Sequence, residues 1–263
     1  MCRGFGSVEM GAPTLSINGA CATLTLQRPE QANRLEPDDL AVICDHIDAV
    51  NANADVRVLR LQATGRHFCS GYDIGRIGTR VDHGPARVTP FEEMVNRLED
   101  ARPVTIVVLQ GGVYGGATDL ALACDFRLGT AAVDMFMPAA RLGLHFYRRG
   151  LERYVSRLGL DQAKRLFLTA ERIGAEEMKA IGFLTELIPA DDLLARADAL
   201  TDTLCGHAPL AVLGMKKHLN RIARGVLDAD ELQHDINSTL QSNDLQEGGA
   251  AWAAKRAPIF KGH

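Results

Sequence analysis

The stretch VTIVVLQGGVYGGATDLALACD, residues 104–125, decides the fold. Its first part, VTIVVLQG, is a nearly continuous apolar run behind Pro103, the pattern of a strand buried on both faces of a parallel sheet. Four glycines then fall within six positions, Gly111, Gly112, Gly115 and Gly116. The segment ATDLALACD has the spacing of a helix start, with Thr118 or Asp119 in the first turn. Amides at a helix N-terminus are oriented donors that favour negative charge, and glycine lets a ligand oxygen come close to them. No GK[ST] ending and no GxGxxG spacing is present, so this is not a nucleotide-phosphate cradle. By itself Asp119 reads as a first-turn helix acid worth about 0.3–1 kcal/mol.

Outward from this stretch, the chain alternates. LSINGACATLTLQRP holds two short β-type runs divided by Asn18-Gly19, a hairpin turn. PDDLAVICDHIDAVNAN (37–53) has helical periodicity with Asp38 or Asp39 near its start, and VRVLRLQATG (56–65) is a further strand. Strand, helix and strand in alternation predict an α/β protein with a largely parallel sheet. From Asp161 onward the pattern is helical, through LDQAKRLFLTAERIGAEEMKAIGF and on to Lys255. The expected organisation is an α/β core over 1–195 and a helical part over 196–263.

The 263 residues suffice for one large domain, and 46% apolar with 24% charged residues is the balance of an ordinary soluble protein. A net charge of −4 gives no reason to expect nucleic acid as a partner. The six cysteines (2, 21, 44, 69, 124 and 205) show no CxxC or Cys/His ligand spacing, so free thiols are expected and no metal site. No run approaches 18 apolar residues and the N-terminus lacks a long apolar stretch, so a cytoplasmic protein without membrane contact is the expectation.

Two more segments carry candidate chemistry. HFCSGYDI (67–74) follows the 56–62 strand, and its Ser70-Gly71 turn leaves amides available to face a cavity. DMFMPAARLGLHFYRRGLERYVSRLG (134–159) gathers Arg141, His145, Tyr147, Arg148 and Arg149. His145 is of a residue type that can serve as acid or base, although a histidine beside aromatics is more often structural; the arginines read as a solvated face.

Taken in order, these segments resemble the crotonase (enoyl-CoA hydratase/isomerase) superfamily over essentially the whole chain. RPEQANRLEP (28–37) is similar to the early RPxxxNAL segment, HFCSGYDI to the FxAGxDI loop, and GGVYGGATDLALACD to the second glycine-rich loop and its helix. FMPAARLGL resembles FxxPExxLGL, AERIGAEEMKAIGFLTELIP a later family stretch, and SNDLQEGGAAWAAKRAPIFKGH the family tail. The resemblance implies a crotonase-like (ClpP/crotonase) fold, a spiral of ββα units with a helical C-terminal trimerisation part. It implies an acyl-CoA thioester substrate, with coenzyme A as part of that substrate, no separate cofactor, and a homotrimer or hexamer.

The residue roles follow from the same resemblance. The amides of Tyr72 and Gly116 would form a two-donor oxyanion hole for the thioester enolate, each donor worth about 3–4 kcal/mol. Gln31, Ala32, Ser70, Asp73 and Ile74 would line the CoA path, and Phe260 and Lys261 would reach the nucleotide end, often across a subunit boundary. Tyr114, Ala139, His145 and Tyr147 would lie by the acyl pocket, under a mobile capping loop within 78–95. The family's hydratases use two glutamates; here those positions hold Asp119 and Ala139. Asp119, the catalytic candidate, is one methylene shorter, a retreat of roughly 1.5 Å. About 1 Å of misplacement can cost on the order of a hundredfold in rate, and alanine transfers no proton. His145, Tyr147, Glu152 and Tyr114 are the other acid–base candidates. The expected activity is hydratase/isomerase-type chemistry, as in fatty acid metabolism. The alternatives are a decarboxylase similar to methylmalonyl-CoA decarboxylase and a non-catalytic acyl-CoA binder.

Overall fold

A computed structural model describes residues 11–73 and 88–263; Cys2, Ile74 and residues 78–87 lie outside the described residues. In chain order the elements are β1 (Thr14–Asn18), β2 (Cys21–Leu26), α1 (Pro37–Ala52), β3 (Val58–Ala63), α2 (Pro90–Glu99), β4 (Val104–Leu109), β5 (Val113–Tyr114) and α3 (Gly116–Leu122). They continue with β6 (Phe126–Gly129), β7 (Asp134–Phe136), α4 (Arg148–Leu158), α5 (Leu160–Thr169), β8 (Ile173–Gly174), α6 (Ala175–Ala180) and β9 (Glu186–Leu187). Four helices close the chain: α7 (Leu193–Cys205), α8 (Pro209–Ala223), α9 (Ala229–Leu240) and α10 (Asn243–Ala253).

The main sheet has the order β1-β2-β3-β4-β6-β9. Only β1 runs antiparallel, paired with β2 through the Asn18-Gly19 turn, where Gly19 takes φ 56°. The other neighbours are parallel, as the strand–helix alternation predicts. A second, smaller sheet has the order β5-β7-β8. The two short strands β8 and β9 fall inside the region that reads as helical from Asp161 onward. At two residues each, they are too short to leave a period-2 signature.

All six residues of β4 are buried, and their alternation divides the core. Ile106 and Val108 pack with Val58 and Leu128 against Leu193, Ala197 and Leu200 of α7. Val107 and Leu109 belong to the larger core on the opposite face, with residues of α1, α2 and α3. Helix α7, which spans the position of the expected 195/196 boundary, thus seals one face of the sheet. Local chemistry starts the helices: Pro37 opens α1, and the Asp39 carboxylate accepts from the Glu36 amide (2.8 Å) and from Arg28 (2.6 Å). Thr89 caps α2, so residues 90–95, expected within a mobile loop, are the first turns of a helix that buries Phe91, Met94 and Val95.

Candidate active site

The loops after β2, β3 and β4 meet at the C-terminal end of the parallel strands. The Ser70 amide donates to the Ala32 carbonyl (2.9 Å), Leu35 to Gly71 (2.9 Å) and Asp73 to Leu35 (3.0 Å). Asn33, almost fully buried, fixes this seam: its side-chain amide donates to the carbonyls of Thr64 (2.8 Å) and His67 (2.9 Å), and its oxygen accepts from the Arg28 amide (2.8 Å). Ala32 and Asn33 are both left-handed, at φ 49° and 52°, a conformation that costs a non-glycine residue of order 1–3 kcal/mol. The expected CoA-path residues Gln31, Ala32, Ser70 and Asp73 are therefore brought together, with the Ser70 hydroxyl donating to the Gln31 carbonyl (3.4 Å). Ile74 lies outside the described residues.

The two glycine-bearing loops press directly on one another. Phe68 and Cys69 donate to the Gly112 carbonyl (3.1 and 3.2 Å), and Tyr114 donates to Cys69 (3.0 Å). A Cβ on Gly111 would lie 2.0 Å from the Arg66 carbonyl oxygen. One on Gly71 would lie 2.7 Å from the Tyr114 carbonyl oxygen and 3.2 Å from the Gly116 nitrogen, and Gly71 has φ 97°. Gly71 and Gly116 thus form one of the contacts between the loops, with Tyr72 next in chain. Gly116 is the first residue of α3, a position whose N–H has no acceptor within its own helix.

Asp119 sits in the first turn of α3 and is fully buried. Its Oδ2 accepts from the Tyr147 hydroxyl and from Arg153 Nη1 at 2.6 Å. Arg153, on α4, is also fully buried. Its Nε and Nη2 form a fork on the two Glu99 oxygens (3.0 and 3.2 Å), and Nη2 reaches Asn96 Oδ1 (3.1 Å). Arg149 adds two bonds to Asp100 and one to Glu99. Burial alone would push the Glu99 carboxyl up; Arg153 and Arg149 reverse this and bring it down to about 2. Burial opposes the charge on Arg153, yet Asp119 and Glu99 raise its pKa above the usual arginine value. Burial first, and then the Asp119 charge, raise the Tyr147 phenol well above 10.

Beside this pair, Thr118 and Tyr154 join α3 to α4 by a 2.5 Å hydroxyl contact. Phe91 of α2 lies over Gly116, where an added Cβ would come within 2.6 Å of its ring. Phe91 is flanked by the rings of Tyr72 (5.7 Å) and Tyr147 (6.3 Å). Tyr147 stacks on Phe146 at 4.4 Å, and both fold back over Gly150, where a Cβ would meet Phe146 at 2.2 Å.

The remaining candidates separate. Tyr114 donates to Asp134 (2.9 Å) and lies under Arg172, so its hydroxyl is engaged away from Asp119. His145 is exposed, with Nδ1 2.8 Å from its neighbour's carbonyl, and Glu152 pairs with Arg148 on the surface. Ala139 is buried at the start of a one-turn 3₁₀ helix. Phe260 and Lys261 are held at the opposite end of the sheet, where Arg57 donates to the Phe260 carbonyl (3.2 Å). Lys261 lines a cleft of about 1380 Å³ there, with Ala20, Arg57 and Arg102, residues that precede β2, β3 and β4. Sequence reasoning missed Arg153 and Glu99 and took Arg149 for solvent-facing. The available signal was the spacing of Arg149, Arg153 and Arg157, which puts one stripe of guanidiniums on α4.

This fold and the paired glycine loops define a class, and comparison with known proteins identifies it. Residues 16–263 match the enoyl-CoA hydratase/isomerase family. YngF of Bacillus subtilis, named with the enoyl-CoA hydratases/isomerases, is 30% identical over 252 residues, covering 93% of this chain and 96% of that protein. The 2,3-dehydroadipyl-CoA hydratase of Escherichia coli is 26% identical over 241 residues, covering 91% and 94%. The crystal structure of an enoyl-CoA hydratase from Bacillus anthracis superposes with a TM-score of 0.87 at 25% identity, covering 95% of this chain and 99% of that one. The chain belongs to the enoyl-CoA hydratase/isomerase family and has the crotonase fold.

Proposed function

We propose that the protein forms and quenches the enolate of an acyl-CoA thioester, with the amides of Tyr72 and Gly116 as the oxyanion hole. The carrying observation is the contact of the two glycine loops at Gly71 and Gly116, directly beside Asp119 and Tyr147. Two amides converging on a thioester oxygen stabilise charge that develops only as the enolate forms. Gln31, Ala32, Ser70 and Asp73 would accompany the CoA chain toward this point.

The family default is hydration or isomerisation of an enoyl-CoA. A second reading, decarboxylation of a malonyl-type ester, is favoured by one observation: Ala139 supplies no second carboxylate, and Asp119 is already occupied by two donors. Incubation with crotonyl-CoA, malonyl-CoA and methylmalonyl-CoA separates these readings by product, water addition against CO₂ release. Binding of these esters without turnover would instead support a non-catalytic acyl-CoA binder.

We further propose a homotrimer or a dimer of trimers in the cytoplasm. Within one chain Lys261 lies at the opposite end of the sheet from the glycine loops, so a nucleotide contact by this tail suits a neighbouring subunit's site. Exposed apolar side chains on the C-terminal helices, among them Leu219, Ile222, Leu240 and Trp252, suit subunit contact.

A further inference from the structure

The two amides proposed as the oxyanion hole belong to peptide units whose carbonyls are held from behind. In a trans peptide the C=O and N–H point in opposite directions, so whatever fixes the carbonyl also aims the amide. Tyr72 shares its peptide with the Gly71 carbonyl, which accepts from the Leu35 amide (2.9 Å), a bond between main chains. Gly116 shares its peptide with the Gly115 carbonyl, which accepts from the Thr118 amide (3.0 Å) and also from the Thr118 hydroxyl (2.6 Å). Here a side chain is part of the hold.

The Thr118 hydroxyl lies in turn 2.5 Å from that of Tyr154. A carbonyl oxygen can only accept, so the single hydroxyl proton of Thr118 is committed to Gly115, and the Tyr154 proton lies between the two hydroxyls. Both side chains are fully buried, and the Tyr154 ring packs on Phe167 with centroids 4.5 Å apart. Threonines on helices often bond back to a carbonyl one turn earlier. The acceptor of Thr118 is the carbonyl opposite the Gly116 amide, whose nitrogen faces the first loop, 3.2 Å from where a Gly71 Cβ would be.

We propose that Thr118 is a positioning residue for the oxyanion hole, and that Tyr154, Thr118 and the Gly115–Gly116 peptide form a one-way chain of donors ending at the thioester oxygen. The proposal rests on the reading of the site as enolate-forming. No proton is transferred along the chain. Each bond holds the next donor in place and polarises it in the same direction, so the Gly116 N–H meets the developing oxyanion already aimed. The effect falls on the transition state, where negative charge gathers on that oxygen, more than on substrate binding.

The test uses the full-length wild-type protein and the variants Thr118→Val, Thr118→Ser, Tyr154→Phe and the double variant Thr118→Val/Tyr154→Phe. Binding of cinnamoyl-CoA is followed by the red shift of its absorption, which reports polarisation of the thioester carbonyl. Turnover of crotonyl-CoA and methylmalonyl-CoA gives kcat and KM, and urea midpoints give stability. Thr118→Val should shrink the red shift and lower kcat by about 10–100-fold with little change in KM. Thr118→Ser, which keeps the hydroxyl, should restore both. Tyr154→Phe should give a smaller loss of the same kind, because Thr118 still reaches Gly115. Thr118→Val also strands the Tyr154 hydroxyl in the core, whereas the double variant removes both polar groups and should recover stability without recovering red shift or kcat. That separation distinguishes aiming of the amide from bracing of α3 on α4. If Thr118→Val does not fold, the double variant and Tyr154→Phe decide the matter; if neither ester is turned over, the red shift decides it. A wild-type red shift in the Thr118→Val or double variant, or a kcat that recovers in step with stability, overturns the proposal. A wild-type protein that binds cinnamoyl-CoA without any red shift overturns instead the oxyanion-hole reading beneath it.

Discussion

At the scale of single residues, Gly71 is a position between the loops that has no room for a side chain. Its φ of 97° and the 2.7 Å approach of a Cβ to the Tyr114 carbonyl mean that any side chain there must part the two loops. Gly71→Ala should therefore lower kcat/KM for a CoA ester by on the order of 100-fold, through a misplaced oxyanion hole. Steady-state kinetics beside a near-ultraviolet CD spectrum that stays native would check this; unchanged kinetics would remove Gly71 from the site. Tyr114 gives the opposite expectation, since its hydroxyl serves Asp134. Tyr114→Phe should cost about 1 kcal/mol in urea unfolding and leave turnover intact. A large drop in kcat would instead give the Tyr114 hydroxyl a part in the reaction.

At the scale of elements, three helices are tied by one buried charge cluster. Arg153 of α4 bonds Glu99 and Asn96 of α2 and Asp119 of α3, while Phe91 at the other end of α2 lies over Gly116. Removing one partner from such a cluster leaves the other charge buried without compensation, at about 3–5 kcal/mol. Glu99 also makes the clamp pH-dependent in a defined direction. Its folded pKa is depressed from 4.5 to about 2, so its stabilisation is complete above about 4.5 and is lost as pH falls toward about 2. The stability gap between wild type and Glu99→Gln should be widest near neutral pH and shrink through that acid window. Urea midpoints measured across the range would show it, and a gap constant with pH would refute the assignment.

These helices also show what was readable in advance and what was not. The hairpin at Asn18-Gly19, the buried strand at 104–109 and the helix after Gly115 each carry a local signal: a turn dipeptide, an apolar run, a glycine cluster. The strands β8 and β9 carry none, because two residues cannot display a period. Arg153 was invisible for a different reason. An arginine on a helix reads as solvent-facing unless its partners are known, and Glu99 and Asp119 lie 54 and 34 positions away in sequence.

At the scale of the whole molecule, the C-terminal tail is fastened to α10. Asp244 is buried and accepts the amides of Lys261 and Gly262, both at 2.7 Å, and the Asn243 amide donates to the His263 carbonyl (2.9 Å). If the tail of one subunit serves the site of another, Asp244→Ala should weaken CoA-ester binding without touching the glycine loops. Calorimetric titration with a CoA ester, alongside light scattering, would check this. Unchanged affinity, or a wild-type mass equal to one chain, would remove the cross-subunit role.

The sequence by itself determined the family, the parallel sheet and the two glycine loops, because these depend on local periodicity and on residues without side chains at fixed places. It also led to the expectation that one of the family's two acids is shortened and the other absent, at Asp119 and Ala139. Only the tertiary structure decided what Asp119 touches. Burial in low-dielectric surroundings requires each charge to be paired, and the pairing with Arg153, Glu99 and Tyr147 is made between helices that the chain brings together only when folded.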